Sequence, residues 1–248
     1  MKKKSELQFD LYISNYDFNI DPVRYKYYHS YKVQKLMGVL ADRLNLSRKE
    51  KQIAKLIGLL HDIGRFEQAK LHNNCSDIIS KFDHADQSVI YLFDEGHIRD
   101  FIRDKKYDSI IKDAIKYHNK YEIDESVKGK NLFFAKMIRD IDKIDIYRVV
   151  NEEFSYVFNN KEISKNVIEC FNNHKTIRNI DKKTKSDEVI AMLSFVYDIN
   201  FKESFKLLKE THNIEKLYEV IKPVKESEKV FNKMKEDINK YIDERGTK

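Results

Sequence analysis

The chain has 248 residues, 41% hydrophobic and 35% charged, with a formal net charge of +6, which is enough for one well-formed core or two small ones. Six glycines and two prolines are too few breakers for a strand-and-turn architecture and point to an all-α fold. Lysine is spread along the whole chain, a solvated surface rather than a nucleic-acid footprint, and Cys75 and Cys170, far apart and without CxxC spacing, exclude a disulfide framework and a cysteine zinc site.

The basic start Met1-Lys2-Lys3-Lys4 runs into Ser5-Glu6-Leu7-Gln8-Phe9-Asp10 without an apolar stretch, so no signal peptide is expected. No apolar run approaches the ~20 residues that span a bilayer. A cytoplasmic protein is the expectation.

Leu7, Leu11 and Phe18 lie near helical spacing and predict a short opening helix. Asp21-Pro22 reads as an N-cap with proline at the first helical position. The long helix that follows should reach about Leu44, with Tyr25, His29, Val33, Leu36 and Leu40 on its inward face. Ser47 and Glu50 have capping-box spacing and should open the next helix. That helix is apolar through Leu59-Leu60 and ends on His61-Asp62, with Gly64 allowing a turn. Residues from Arg65 to Phe82 lack clear periodicity, and Asn73-Asn74-Cys75-Ser76 reads as a loop at the rim of any site near His61. Asp83 can cap a helix from His84 to Glu95, stopped by Gly96. Helices from about Ile98, from Tyr107 to His118, and from Leu132 to about Val150 follow. Beyond about residue 155, apolar faces built on Val167 and Phe171, on Val189 and Leu193, on Phe205 and Leu208, and on Leu217 and Tyr218 predict more helices. A last, charged one should start at Pro223. The expected organisation is a helical bundle over residues 1–155, with helices of 156–248 packed against it.

Burying His61 and Asp62 beside an apolar helix is costly unless something compensates, and a divalent cation would. Asp142 shares its helix face with Ala135, Ile138, Ile146 and Val149, so it points inward; Arg139 offers it an ion-pair partner as an alternative to a metal. Asp140 falls on the opposite face and should be solvated. His118 shares a face with Ile111, Ala114 and Ile115, and His84 with Ser88, Tyr91 and Leu92. Singly, such a histidine is an ordinary hydrogen-bonded core residue. The ordered set is more than that: His29, His61-Asp62, His84, His118 and Asp142, on different helices.

This set, with Leu-Leu-His-Asp-Ile-Gly-Arg-Phe around the HD pair, Asp-His-Ala at 83–85, Tyr-His-Asn-Lys at 117–120 and Arg-Asp-Ile-Asp-Lys-Ile-Asp at 139–145, resembles the HD-domain superfamily of metal-dependent phosphohydrolases over residues 25–150. The resemblance implies a helical bundle with a first metal on His29, His61, Asp62 and Asp142. The extra pair His84 and His118 resembles the binuclear branch, found among cyclic-dinucleotide phosphodiesterases and symmetrical dinucleoside-tetraphosphate hydrolases. In that branch Asp62 would bridge to a second metal. The alternative is a single metal with these two histidines gripping phosphate. The chain lacks the GYP tripeptide of one phosphodiesterase group.

The implied cofactors are two divalent ions such as Mn²⁺, Fe²⁺ or Mg²⁺. The implied reaction is hydrolysis of a phosphate ester or anhydride, with a nucleotide or another small phosphorylated metabolite as substrate and neither membrane nor nucleic acid as partner. Arg65, Lys116, Lys120, Arg139 and Lys143 are candidates to hold phosphate, the arginines by bidentate contacts. Asp145, and more weakly Asp86, are candidates to orient a ligand histidine. Two other readings stand beside this one: a nucleotide-binding regulatory protein with a non-catalytic metal site, and a phosphodiesterase for cyclic or dinucleoside substrates.

Overall fold

A computed structural model describes residues 3–153 and 156–247. Among them the regular structure is helical except for one pair of three-residue strands. No helix among them is long and apolar enough to cross a membrane. The chain divides into two compact units, Met1–Ile141 and Asp142–Lys248.

The first unit opens with α1 (Lys4–Ile13). Its buried face is Phe9 and Ile13, whereas Leu7, Leu11 and Phe18 are exposed. The reason is aromatic packing: the Phe9 ring meets Tyr31 and Phe66 edge-on at centroid distances of 5.7 and 5.8 Å, which turns the leucines outward. Helix α2 (Asp21–Arg43) starts after Ile20, with Asp21 as its first residue and Pro22 within its first turn. His29, Val33, Leu36 and Leu40 are buried on it as expected, but Tyr25 stands on the surface.

Helix α3 (Arg48–Leu60) carries the expected Ser47–Glu50 capping box. It lies so close to α2 that a Cβ on Gly58 would come within 3.0 Å of the Gln34 backbone. A side chain here would separate the two helices that carry His29 and His61. The chain turns through His61-Asp62-Ile63 into α4 (Gly64–His72), so part of the stretch without periodicity is helical. A short α5 (Asp77–Ser80) follows the loop at 73–76.

Asp83 caps α6 (His84–Val89) by accepting from the backbone N–H groups of Ala85 and Asp86. The helix continues as a π-helical turn over Ile90–Asp94 and stops before Gly96, whose φ is +87°. Helices α7 (Ile98–Phe101) and α8 (Asp108–Tyr117) precede α9 (Gly129–Glu153). On α9, every residue from Phe134 to Asp145 except Lys136 is buried. Asp140 is therefore fully buried, not solvated; the expectation failed because this helix has no solvent face over that stretch.

The second unit holds the end of α9, the strands β1 (Tyr156–Phe158) and β2 (Ile221–Pro223), and α10 (Lys165–Asn172), α11 (Lys185–Leu193), α12 (Lys202–Thr211), α13 (Asn213–Val220) and α14 (Glu228–Thr247). The strands pair in parallel, Tyr156 opposite Ile221 and Phe158 opposite Pro223. Pro223 thus ends a strand rather than opening the last helix. The Asp187 carboxylate closes α11 onto its neighbours, accepting from the backbone of Ser164, Lys183 and Thr184 and from the Ser164 hydroxyl.

Candidate metal centre

His29 comes from the middle of α2, His61 and Asp62 from the turn after α3, His84 from the first residue of α6 and His118 from the end of α8. All five are at most 2% exposed. Asp62 is their centre. Its Oδ2 faces Nε2 of His29 at 3.6 Å and Nε2 of His61 at 3.5 Å. Its Oδ1 faces Nε2 of His84 at 3.2 Å and Nε2 of His118 at 3.4 Å. Each carboxylate oxygen thus looks at its own pair of imidazoles. Ligand-type atoms of His29, His61 and Asp62 lie within 4.8 Å of one another, as do those of Asp62, His84 and His118. Asp142 is the first residue after the division between units, on a helix that runs through it unbroken.

The local fold fixes how these rings present themselves. His61 Nδ1 donates to Gly58 O at 2.9 Å, and His118 Nδ1 donates to Ile115 O at 2.7 Å. His84 Nδ1 is 2.7 Å from Asp77 Oδ2. A neutral imidazole that donates through Nδ1 presents a lone pair at Nε2. His118 is neutral, because burial pushes its pKa down to about 4. Its Nε2 and that of His84 are nevertheless only 3.0 Å apart. Two ring nitrogens this close, both facing the same Asp62 oxygen, form the arrangement that a shared cation would hold together. A divalent metal therefore fits this donor set.

Burial alone would raise the Asp62 carboxyl; the ammonium of Lys26 foremost outweighs it and holds the group well below the usual carboxylate range. Lys26 Nζ lies 2.6 Å from Asp62 Oδ2, with its side chain 21% exposed. Asp77 behaves alike: burial raises it, and His84 and Arg65 more than offset that. Gly64 is required by a close approach, since a Cβ there would lie 2.4 Å from His84 O. The Ser88 hydroxyl accepts from Gly64 N at 2.9 Å and donates to His84 O at 2.7 Å, tying the HD turn to α6.

The cations named as phosphate candidates each have a partner within the chain. Arg65 Nη1 donates to Gln68 Oε1, Cys75 O and Asp77 Oδ1 at 2.5–2.6 Å, while its Nε is 3.8 Å from Asp62 Oδ1. Arg65 therefore braces Asp77, the partner of His84. Lys120 Nζ is held by Asp83 and Asp86 at 2.5 and 3.1 Å. Arg139 donates to the carbonyls of Tyr117, Lys120 and Tyr121, closing the end of α8. Lys143 pairs with Asp198 at 2.7 Å, and Lys116 lies over the Tyr117 ring. Asp145 takes two 2.8 Å hydrogen bonds from Arg148. Asp86 serves Lys120, so the carboxylate on His84 is Asp77.

Two residues at the centre were absent from the sequence reading. Asp77 lies in the aperiodic stretch after the HD pair; Ser76, which caps α5 one residue earlier, was the available signal. Lys26 lies one turn before His29, and its only signal is that i, i+3 spacing.

Residues 27–149 match the model of the HD domain family. No curated protein and no solved structure was found to match the chain. The family match spans the helices that carry His29, His61-Asp62, His84 and His118 and ends beyond Asp142. Residues 27–149 thus form an HD domain, the fold of a superfamily of metal-dependent hydrolases, and their His/Asp cluster fits a metal site.

Proposed function

We propose that this protein is a metal-dependent phosphohydrolase acting on a phosphate ester or anhydride of a nucleotide or another small phosphorylated metabolite. The observation that carries the reading is Asp62, whose two oxygens face two separate pairs of histidine nitrogens. In this reading His29, His61, Asp62 and Asp142 hold one divalent cation, and Asp62, His84 and His118 hold a second. Divalent cations bound there supply an acidified water and offset charge on phosphoryl oxygens.

The chain's own residues do the rest. Asp62 is kept ionised by its surroundings, so no proton has to leave it before a cation is bound. Gly58 O, Ile115 O and Asp77 fix the ring orientations of His61, His118 and His84. Burial of all five groups limits access of bulk water and strengthens every charge interaction. Lys26, already against Asp62 and partly exposed, is the cation best positioned to meet a substrate phosphate.

The test is turnover of a panel of phosphomonoesters, diesters and anhydrides by the purified protein with added Mn²⁺, beside the Asp62→Ala variant. Wild-type turnover on at least one class, reduced to background in Asp62→Ala, is expected. Nucleotide binding without turnover across the panel would favour the regulatory reading, and wild-type rates in Asp62→Ala would remove Asp62 from the chemistry.

A further inference from the structure

The first unit carries a second concave site that shares no residue with the histidine cluster. A cavity of about 330 Å³ lies between the start of α1, the outer face of α3 and the segment after α7. Five cations line it: Lys3, Lys4, Lys49, Lys55 and Arg103. A second hollow of about 400 Å³, sharing Lys3, Gln52 and Lys55 with the first, adds Arg48 and Lys51. Among the described residues no aspartate or glutamate lines either one, in a chain with 41 acidic residues.

Two carboxylates stand near these charges, Asp42 and Glu6. Lys51 pairs with Asp42 at 2.5 Å, and Lys49 lies 5.5 Å from the Tyr107 ring centroid. Glu6, one turn along α1, already accepts from Lys3 N at 2.9 Å and from Gln34 Nε2 at 3.2 Å. Lys55 is the built part of the site. Its stem lies along α2 at Gly38, where a Cβ would approach its Cδ to 3.2 Å. A mid-helix glycine costs about 1 kcal/mol relative to alanine, and here it makes room for that stem. The Lys55 ammonium is partly buried, and burial and the neighbouring Lys3 and Lys51 lower its pKa against the opposite pull of Glu6 and Asp42. Cations outnumber carboxylates around this ammonium, and a bound anion would favour its charged form.

We propose that this cavity binds the phosphate chain of a small oligophosphate. Several ammonium and guanidinium side chains lining one cavity suit a chain of linked phosphates better than a single one. The concave shape suits a small molecule rather than a nucleic-acid backbone, which needs an extended basic track. The inference is independent of the metal-centre reading.

The test is calorimetric titration of the full chain with tripolyphosphate, in chelator and at low salt, so that divalent cations play no part. Orthophosphate and a single-stranded oligonucleotide serve as separate arms. The variants are the double substitution Lys49→Gln with Lys55→Gln, a control pair Lys229→Gln with Lys233→Gln on α14, and Asp62→Asn. Saturable tripolyphosphate binding, weakened about tenfold or more by the first pair and unaffected by the control pair and by Asp62→Asn, is expected. Absence of saturable binding would overturn the proposal. So would equal losses from the two lysine pairs, which would mean diffuse surface charge. Loss in Asp62→Asn alone would place the anion at the histidine cluster, and tighter binding of the oligonucleotide would replace a small ligand with nucleic acid. Circular dichroism of each variant guards against misfolding.

Discussion

A carboxylate that is 2% exposed, with an ammonium 2.6 Å from one oxygen and a pair of imidazoles before each, is held as an anion whether or not a metal is bound. The same logic applies one layer out, at Asp77, which accepts from His84 Nδ1 and is braced by Arg65. Replacing Asp77 with asparagine should leave the fold intact while weakening metal binding and activity about 10- to 100-fold. Metal titration followed by circular dichroism reads this; undiminished affinity would show that Asp77 does not orient His84. The inward histidines were legible in the sequence because each shares a helix face with apolar residues. Asp77 and Lys26 were not, since one lies where periodicity fails and the other looks like any surface lysine. Arg139 and Lys120 sit beside ligands in sequence, yet backbone carbonyls and carboxylates take their donors.

Helices meet closely at two glycines, and each contact serves the site. At Gly64 the obstacle to a side chain is backbone, His84 O at 2.4 Å, which cannot swing aside. Gly64→Ala should therefore destabilise the protein by roughly 3 kcal/mol and lower metal content with it; a thermal midpoint equal to wild type would refute the close approach. On α11, Asp187 accepts from three backbone N–H groups and a hydroxyl, and its pKa is lowered even though burial alone would raise it. A depressed folded-state pKa means stability that is fully present above the unfolded value of about 4 and is lost as pH falls through the folded value. Asp187→Ala should cost about 2 kcal/mol at neutral pH, and the difference from wild type should shrink as pH falls below about 4. A difference that is constant across that range, in denaturant melts, would contradict this role. Among the helices, those with one apolar face were legible, and so was the Ser47–Glu50 box. Helix α9 was misread at Asp140 because a helix buried all round carries no outward face to find. The three-residue strands were missed because so short a run has no period.

At the scale of the whole molecule, low glycine and proline content and near-continuous helical periodicity foretold the fold class. Net charge did less. A count of +6 does not show that five cationic residues line one cavity while others are neutralised in pairs. The histidine cluster is likewise an assembly of residues far apart in sequence, drawn together by α2, α3, α6 and α8. What it is for is tested most directly by elemental analysis of protein loaded with excess Mn²⁺ and then desalted. About two equivalents per chain are predicted for wild type, about one in His84→Ala and in His118→Ala, and close to none in Asp62→Ala, with helical content unchanged. Full retention in His84→Ala and His118→Ala would contradict the second cation, and a full complement in Asp62→Ala would contradict the metal centre itself.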